Sequence, residues 1–214
     1  MTVKIFWDDP YQTRLDTRIA TVSGDDITLD ATIFYAFAGG QESDSGTIGG
    51  HPVIHARKQE AAIYYTLPAG HNLRVADPVT VTIDWPRRYR LMRLHFAAEI
   101  ILELTYQLLP GIHKIGAHIA PDKSRIDFEW PQNIAAIFPH LQTRAQELIR
   151  ADHPITSAFS DPQTERRYWE IPGFARVACG GTHLKRTGEV GDIHLKRKNV
   201  GKGKERIEIY LADA

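Results

Sequence analysis

Cysteine is almost missing from this chain: Cys179 is the single one among 214 residues. That excludes a disulfide framework within the chain, so the fold must rest on a buried core, which this length can form as one large domain or two small ones. Long apolar runs are also lacking. Nothing approaches the roughly 18 uninterrupted apolar residues of a membrane-spanning helix, and the opening Met-Thr-Val-Lys-Ile-Phe-Trp-Asp-Asp has no apolar stretch behind a basic head. A reduced thiol and no leader give the expectation of a cytoplasmic protein with no membrane partner. Nor is there an excess of either charge, because Lys plus Arg and Asp plus Glu number 26 each. Any contact with nucleic acid must then come from a local patch rather than an overall positive field. The chain has no Gly-x-Ser-x-Gly nucleophile turn, no Lys-Ser/Thr ending to a phosphate loop, no dinucleotide fingerprint, no internal repeat and no low-complexity tract.

What is present falls into two stretches of different character. Residues 1–86 hold short β-branched or aromatic runs, at 3–7, 17–22, 26–29, 53–56, 61–67 and 79–85, separated by turn signals such as Ser23-Gly24-Asp25-Asp26 and Pro68-Ala69-Gly70. Such spacing predicts a small antiparallel β-barrel. Asp84-Trp85-Pro86-Arg87-Arg88 reads as the end of the last strand and the domain boundary. From Tyr89 to Leu109 apolar residues surround most of a helix, which marks it as central. Two strands, 113–118 and 124–129, follow. One or two helical pieces are expected around Pro139, then a polar loop or short helix at 161–167 and a closing hairpin from 193–196 and 206–211. Residues 87–214 therefore read as an α+β domain, with a central helix against an antiparallel sheet.

Two pairs of metal-ligating residue types share one spacing. His95 and Glu99 lie four apart on the predicted helix and so on one face, and Cys179 and His183 lie four apart around Gly180-Gly181. Thiolate and imidazole are common zinc ligands, in sets of three or four. Spacing alone leaves another reading open, with Cys179 a small buried apolar residue and His183 a loop histidine. The stripe His95, Glu99, Glu103 is likewise either a solvent face or the wall of a pocket. Glycines at 39, 40, 46, 49 and 50 form a dense loop that is either a flexible hairpin or a close approach to a ligand. The cations between Lys196 and Arg206 are either a solvated tip or a phosphate contact.

The segments Phe34-Tyr35 leading into Gly39-Gly40-Gln41-Glu42-Ser43-Asp44-Ser45-Gly46-Thr47-Ile48, then His95-x-x-x-Glu99, then Cys179-Gly180-Gly181-Thr182-His183, in this order, resemble the alanyl-tRNA editing proteins. These are free-standing relatives of the editing domain of alanyl-tRNA synthetase, and threonyl-tRNA synthetase shares only the metal-bearing half. The resemblance spans nearly the whole chain. One departure stands out: the family usually reads His-x-x-x-His where this chain has Glu99.

The resemblance implies a hydrolase that deacylates mischarged tRNA, foremost Ser-tRNA(Ala) and secondarily Gly-tRNA(Ala). It also implies Zn2+ on His95, Glu99, Cys179 and His183, with tRNA rather than DNA as partner. Gln41 and Asp44 match polar positions of the aminoacyl pocket, Thr32 matches a position that reads the amino-acid side chain, and Phe34 lies beside it. Lys198, Lys202 and Lys204 are the expected contacts to the tRNA backbone. Glu99 has two open roles, zinc ligand or general base. Two other readings compete: an RNA-binding module whose metal is structural or absent, and a metal-dependent hydrolase of a different ester or amide.

Overall fold

The computed structural model describes residues 2–201 and 203–212, and the chain divides into two compact units. One comprises residues 1–38 and 42–89, the other residues 39–41 and 90–214. The three-residue piece Gly39–Gln41 thus belongs with the second unit, although the residues on either side of it belong to the first. Among the described residues the fold is α+β, with two α-helices and sheets that are mostly antiparallel.

In the first unit seven strands form a half-barrel in the spatial order His51–Pro52, Gly46–Ile48, Pro78–Ile83, Arg14–Ser23, Asp26–Leu29, Ala62–Thr66, His55–Gln59. The long strand Arg14–Ser23 makes the sheet curl. Its first half pairs with Pro78–Ile83 and its second half with Asp26–Leu29, with a register shift between Ile19 and Thr21. A bulge of this kind bends a strand and increases its twist. Ile19, Ile27, Leu29, Phe34, Ile48, Ile63, Tyr65 and Val81 fill the concave side. A fully buried ion pair fastens the loops. The guanidinium of Arg88 meets the Asp44 carboxylate and also donates to the carbonyls of Ile33, at 2.6 Å, and Pro10, at 2.9 Å.

Helix α1, Trp85–Leu108, starts earlier than its apolar pattern predicts. Asp84, Trp85 and Pro86, read from sequence as a strand end, are the cap and first turn: the Asp84 carboxylate accepts from the Arg87 N–H at 3.2 Å. An acidic cap followed by proline near the first helical position favours this start. Leu91, Met92, Leu94, Phe96, Ala97, Ile100 and Ile101 are all buried, as a central helix requires.

The second unit also carries an antiparallel sheet in the order His113–Ile119, Ser124–Glu129, Lys204–Leu211, Ile193–Gly201. The closing hairpin is as expected, with longer strands. Helix α2, Phe138–Arg150, has Pro139 in its first turn and buries Phe138, Leu141, Ala145 and Ile149, one stripe at helical spacing. Residues 161–167, read from sequence as a polar loop or short helix, hold the turn 162–165 and the adjoining strand ends of another hairpin, made by Thr156–Asp161 and Arg166–Ile171, to which Ala175–Ala178 adds a third strand. Thr156–Asp161 lies at the sheet edge and is largely exposed, so its sequence lacks the apolar alternation by which a strand is recognised. No helix among the described residues is long and apolar enough to cross a membrane.

Candidate metal centre

The centre is built within the second unit from three segments far apart in sequence. Helix α1 supplies His95 and, one turn on, Glu99. The strand Ala175–Ala178 delivers Cys179, whose N–H donates to the Arg167 carbonyl at 2.9 Å, and the chain then runs past α1 to His183. Gly181 makes that passage possible. A Cβ at this position would lie 2.1 Å from Cε1 of His95 and 2.8 Å from Oε1 of Gln41, so any side chain would displace the imidazole. The third segment is Gly39–Gln41, which lies along the strand His113–Ile119; the Ile119 N–H donates to the Gly40 carbonyl at 2.8 Å. Gly40 has φ 88°, and a Cβ there would meet the Ala117 carbonyl oxygen at 2.6 Å, so this approach also requires glycine.

His95, Cys179 and His183 converge, each offering one ligand atom, with these atoms within 4.8 Å of one another. Nε2 of His95 is 3.4 Å and Nε2 of His183 is 3.2 Å from the Cys179 sulfur. The opposite nitrogens are taken. Nδ1 of His95 lies 2.7 Å from Gln41 Oε1, and Nδ1 of His183 lies 2.9 Å from Ser157 Oγ. An amide oxygen can only accept, so Gln41 fixes a proton on Nδ1 of His95, while the Ser157 hydroxyl holds the His183 ring in place; each ring then presents its Nε2 to the sulfur. Gln41 is itself held, since Oε1 also accepts from the Thr182 N–H at 3.3 Å and Nε2 donates to Thr182 Oγ1 at 2.8 Å. Both histidines are almost wholly buried, with Phe96 packed edge-on against His183 and Trp169.

Glu99 reaches this group through His95. One carboxylate oxygen lies 3.2 Å from His95 Nε2, and the other accepts from the Trp169 indole N–H at 3.1 Å. The electrostatics describe a place built around positive charge. For His95, burial is the largest influence and would depress its pKa, but the Cys179 thiolate and then Glu99 outweigh it and hold the group up at about 10. Burial would raise Glu99, yet the hydrogen bond and charge of His95 bring it down to about 2. His183 falls to about 3, first through burial and then through the cationic His95 beside it. Sulfur and carboxylate thus surround a point that favours a cation, and two imidazoles with a thiolate form a donor set suited to zinc.

Of the other residues singled out in the sequence, Thr32, Phe34 and Asp44 belong to the first unit. Thr32 is fully buried; its hydroxyl pairs with Tyr65 Oη at 2.7 Å and accepts from the Phe34 N–H at 3.0 Å. The Tyr65 hydroxyl donates to the Phe34 carbonyl at 2.9 Å, so the Thr32 hydroxyl must donate to Tyr65 and keeps one lone pair. Phe34 packs edge-on to the Tyr65 ring. Asp44 spends its carboxylate on Arg88 and the Tyr35 N–H. Lys198 and Lys204 stand exposed on the closing hairpin, and Lys202 lies outside the described residues. Ser157, Trp169 and Thr182 were not legible as site residues. Each acts through hydrogen bonds to a partner from another segment, a role that leaves no local spacing.

The family described as the threonyl and alanyl tRNA synthetase second additional domain matches residues 169–208, the stretch that carries Trp169, Cys179 and His183. The alanyl-tRNA editing protein AlaX-M of Pyrococcus horikoshii is 31% identical over 99% of this chain and 98% of its own length. Its counterpart in Saccharolobus solfataricus is 32% identical over 97% and 98%. An alanine–tRNA ligase of Methanococcus maripaludis is 28% identical over 97% of this chain but only 26% of the ligase.

Proposed function

The chain belongs to the alanyl-tRNA editing proteins, and from that premise we propose that it hydrolyses the ester joining a wrongly attached amino acid to tRNA for alanine, with serine as the main target. The observation that carries the reading is the convergence of His95, Cys179 and His183, with both far ring nitrogens held, in a chain of this family. We assign zinc to these three residues. Held there, zinc would supply Lewis acidity or a fixed anchor for the aminoacyl end of the RNA. Since an aminoacyl ester is intrinsically labile, positioning it beside a water accounts for much of the rate.

The protein groups have separable tasks. Gln41 and Ser157 orient the two imidazoles, and Trp169 occupies one oxygen of Glu99 and leaves the other facing the centre. As a ligand, Glu99 together with the thiolate would cancel the double charge of zinc and make positioning the main contribution of the metal. As a base, it would take the proton of the attacking water. Thr32 is our candidate for reading the serine hydroxyl through its remaining lone pair; polar groups that would stay unpaired beside alanine can discriminate by roughly 10⁴-fold. Glycine lacks the hydroxyl and would need a different basis for removal. A tRNA substrate and a reduced Cys179 both suit the cytoplasm.

The test is deacylation of Ser-tRNA(Ala), Gly-tRNA(Ala) and Ala-tRNA(Ala) by purified, zinc-replete protein. Serine should be released and alanine retained. Tight tRNA binding without release of any amino acid would replace the enzyme by a binding module, and release of all three alike would remove the editing role.

A further inference from the structure

The antiparallel sheet of the second unit has one face on the core and one face outward. Ile126, Phe128, Ile207 and Ile209 point inward and are buried. On the other face, residues directly opposite one another across the strands are His194 and Tyr210, Lys196 and Glu208, Lys198 and Arg206, then Glu208 and Arg125, and Arg206 and Asp127. Strand alternation adds Lys204 and Glu129, paired with each other, and Lys123 reaches in from the turn. This face carries six cations, Lys123, Arg125, Lys196, Lys198, Lys204 and Arg206, against three carboxylates, Asp127, Glu129 and Glu208. Three positive charges therefore concentrate on one face of a chain whose net charge is zero.

The carboxylates here act as braces. Asp127 holds Arg206 at 2.5 Å and Arg125 as well, while Glu208 accepts from Lys123 at 2.8 Å and from the Tyr210 hydroxyl at 3.0 Å. That fixes Lys123, Arg125 and Arg206 in advance of any ligand and lowers the ordering cost of binding. Lys196 and Lys198 are exposed, and Lys196 sits 4.8 Å from the centre of the Tyr210 ring. The rings of His194 and Tyr210 lie parallel, 8° apart in plane with centroids at 5.0 Å. A sheet face with a ring stack among cations is complementary to a nucleic acid strand: the cations meet phosphates and a base extends the stack.

We propose that this outer sheet face, centred on Tyr210 and His194 and bordered by Lys196, Lys198 and Arg206, is the surface on which the protein holds the RNA backbone of its substrate. The inference rests on the tRNA reading above, but it concerns binding, whereas the metal centre concerns hydrolysis. An acidic polypeptide is the alternative occupant. It would use the cations without needing the rings.

The probe is uncharged tRNA(Ala), with binding followed by fluorescence anisotropy at several salt concentrations. Lys196→Ala with Lys198→Ala should lower the slope of log affinity against log salt by about 1.4 to 1.8. His194→Ala should weaken binding roughly tenfold through lost stacking while leaving the slope unchanged. Arg144→Ala with Arg150→Ala on α2 serves as the charge-matched control and should change neither. In deacylation, the face variants should raise KM with kcat and zinc content preserved, and their melting temperatures should match the parent. An unaltered salt slope in the lysine pair, an equal loss in the α2 control, or polyglutamate competing as well as tRNA and indifferent to His194→Ala would each overturn the proposal. If the parent binds tRNA through this face yet hydrolyses nothing, the face stands and the editing reading fails. If hydrolysis keeps its KM in the face variants, the reverse holds.

Discussion

Replacing Gln41 by methionine keeps the length of the side chain and removes both of its polar atoms. Gln41 is 1% exposed, so water cannot take over its hydrogen bonds. Two buried donors, the His95 Nδ1–H and the Thr182 N–H, would lose their acceptor, while the Thr182 hydroxyl can turn elsewhere. At about 1–3 kcal/mol for each stranded donor, the metal-free protein should lose about 2–6 kcal/mol of stability. Metal retention should fall separately. The imidazole is no longer held with Nε2 toward the sulfur, and loss of such a partner costs about 10- to 100-fold in metal affinity. Gln41→Glu is the companion variant: a carboxylate still accepts from Nδ1–H, so zinc affinity should stay closer to that of the parent. The assays are urea denaturation of the metal-free protein and competition for zinc against a chromophoric chelator. The sequence-based role for Gln41, a contact to the aminoacyl group, makes a different forecast, in which turnover drops while stability and zinc affinity hold. Zinc affinity of Gln41→Met within twofold of the parent would refute the orienting role of the amide.

Glu99→His and Glu99→Gln separate ligand from base. If Glu99 is a ligand, the histidine variant retains zinc and activity while the glutamine variant loses zinc on dialysis; if it is a base, the glutamine variant keeps zinc and loses roughly 10²-fold or more in turnover. The metal-free protein should be most stable near pH 6.5. The raised pKa of His95 gives stability that is complete below its ordinary 6.5 and lost as pH climbs toward about 10. The lowered pKa of His183 lets the unfolded chain bind the proton first as pH drops from 6.5 toward about 3, and the stability from Glu99 is lost from 4.5 toward about 2. The urea midpoint followed against pH checks this, and a midpoint that climbs steadily from pH 6.5 to 9 would count against it.

The elements most legible in the sequence were those whose own residues dictate them. The apolar surround of α1, the hairpin strands near 113–129 and the closing hairpin follow from burial patterns that a short window contains. The edge strand Thr156–Asp161 escaped because its register comes from Arg166–Ile171 and not from alternation of its own. The start of α1 was hidden by a proline that reads as a stop but suits a first turn. At the centre, His95, Cys179 and His183 announced themselves by residue type and spacing. Ser157, Trp169 and Thr182 did not, because serine, tryptophan and threonine serve a metal site only through partners the fold brings to them.

The placement of Gly39–Gln41 with the second unit has a consequence in time. Gln41 is made 54 residues before His95 and 141 before Thr182, the two groups it joins. On a growing chain, strands of the first unit can pair on either side of Gln41 while its amide still lacks both partners. The centre can close only after Thr182 and His183 have left the ribosome, and closing it spans most of the chain in one step, a slow kind of contact to form. A C-terminal fragment beginning at residue 90 would carry His95, Cys179 and His183 and still lack the amide that is bonded to the first of them.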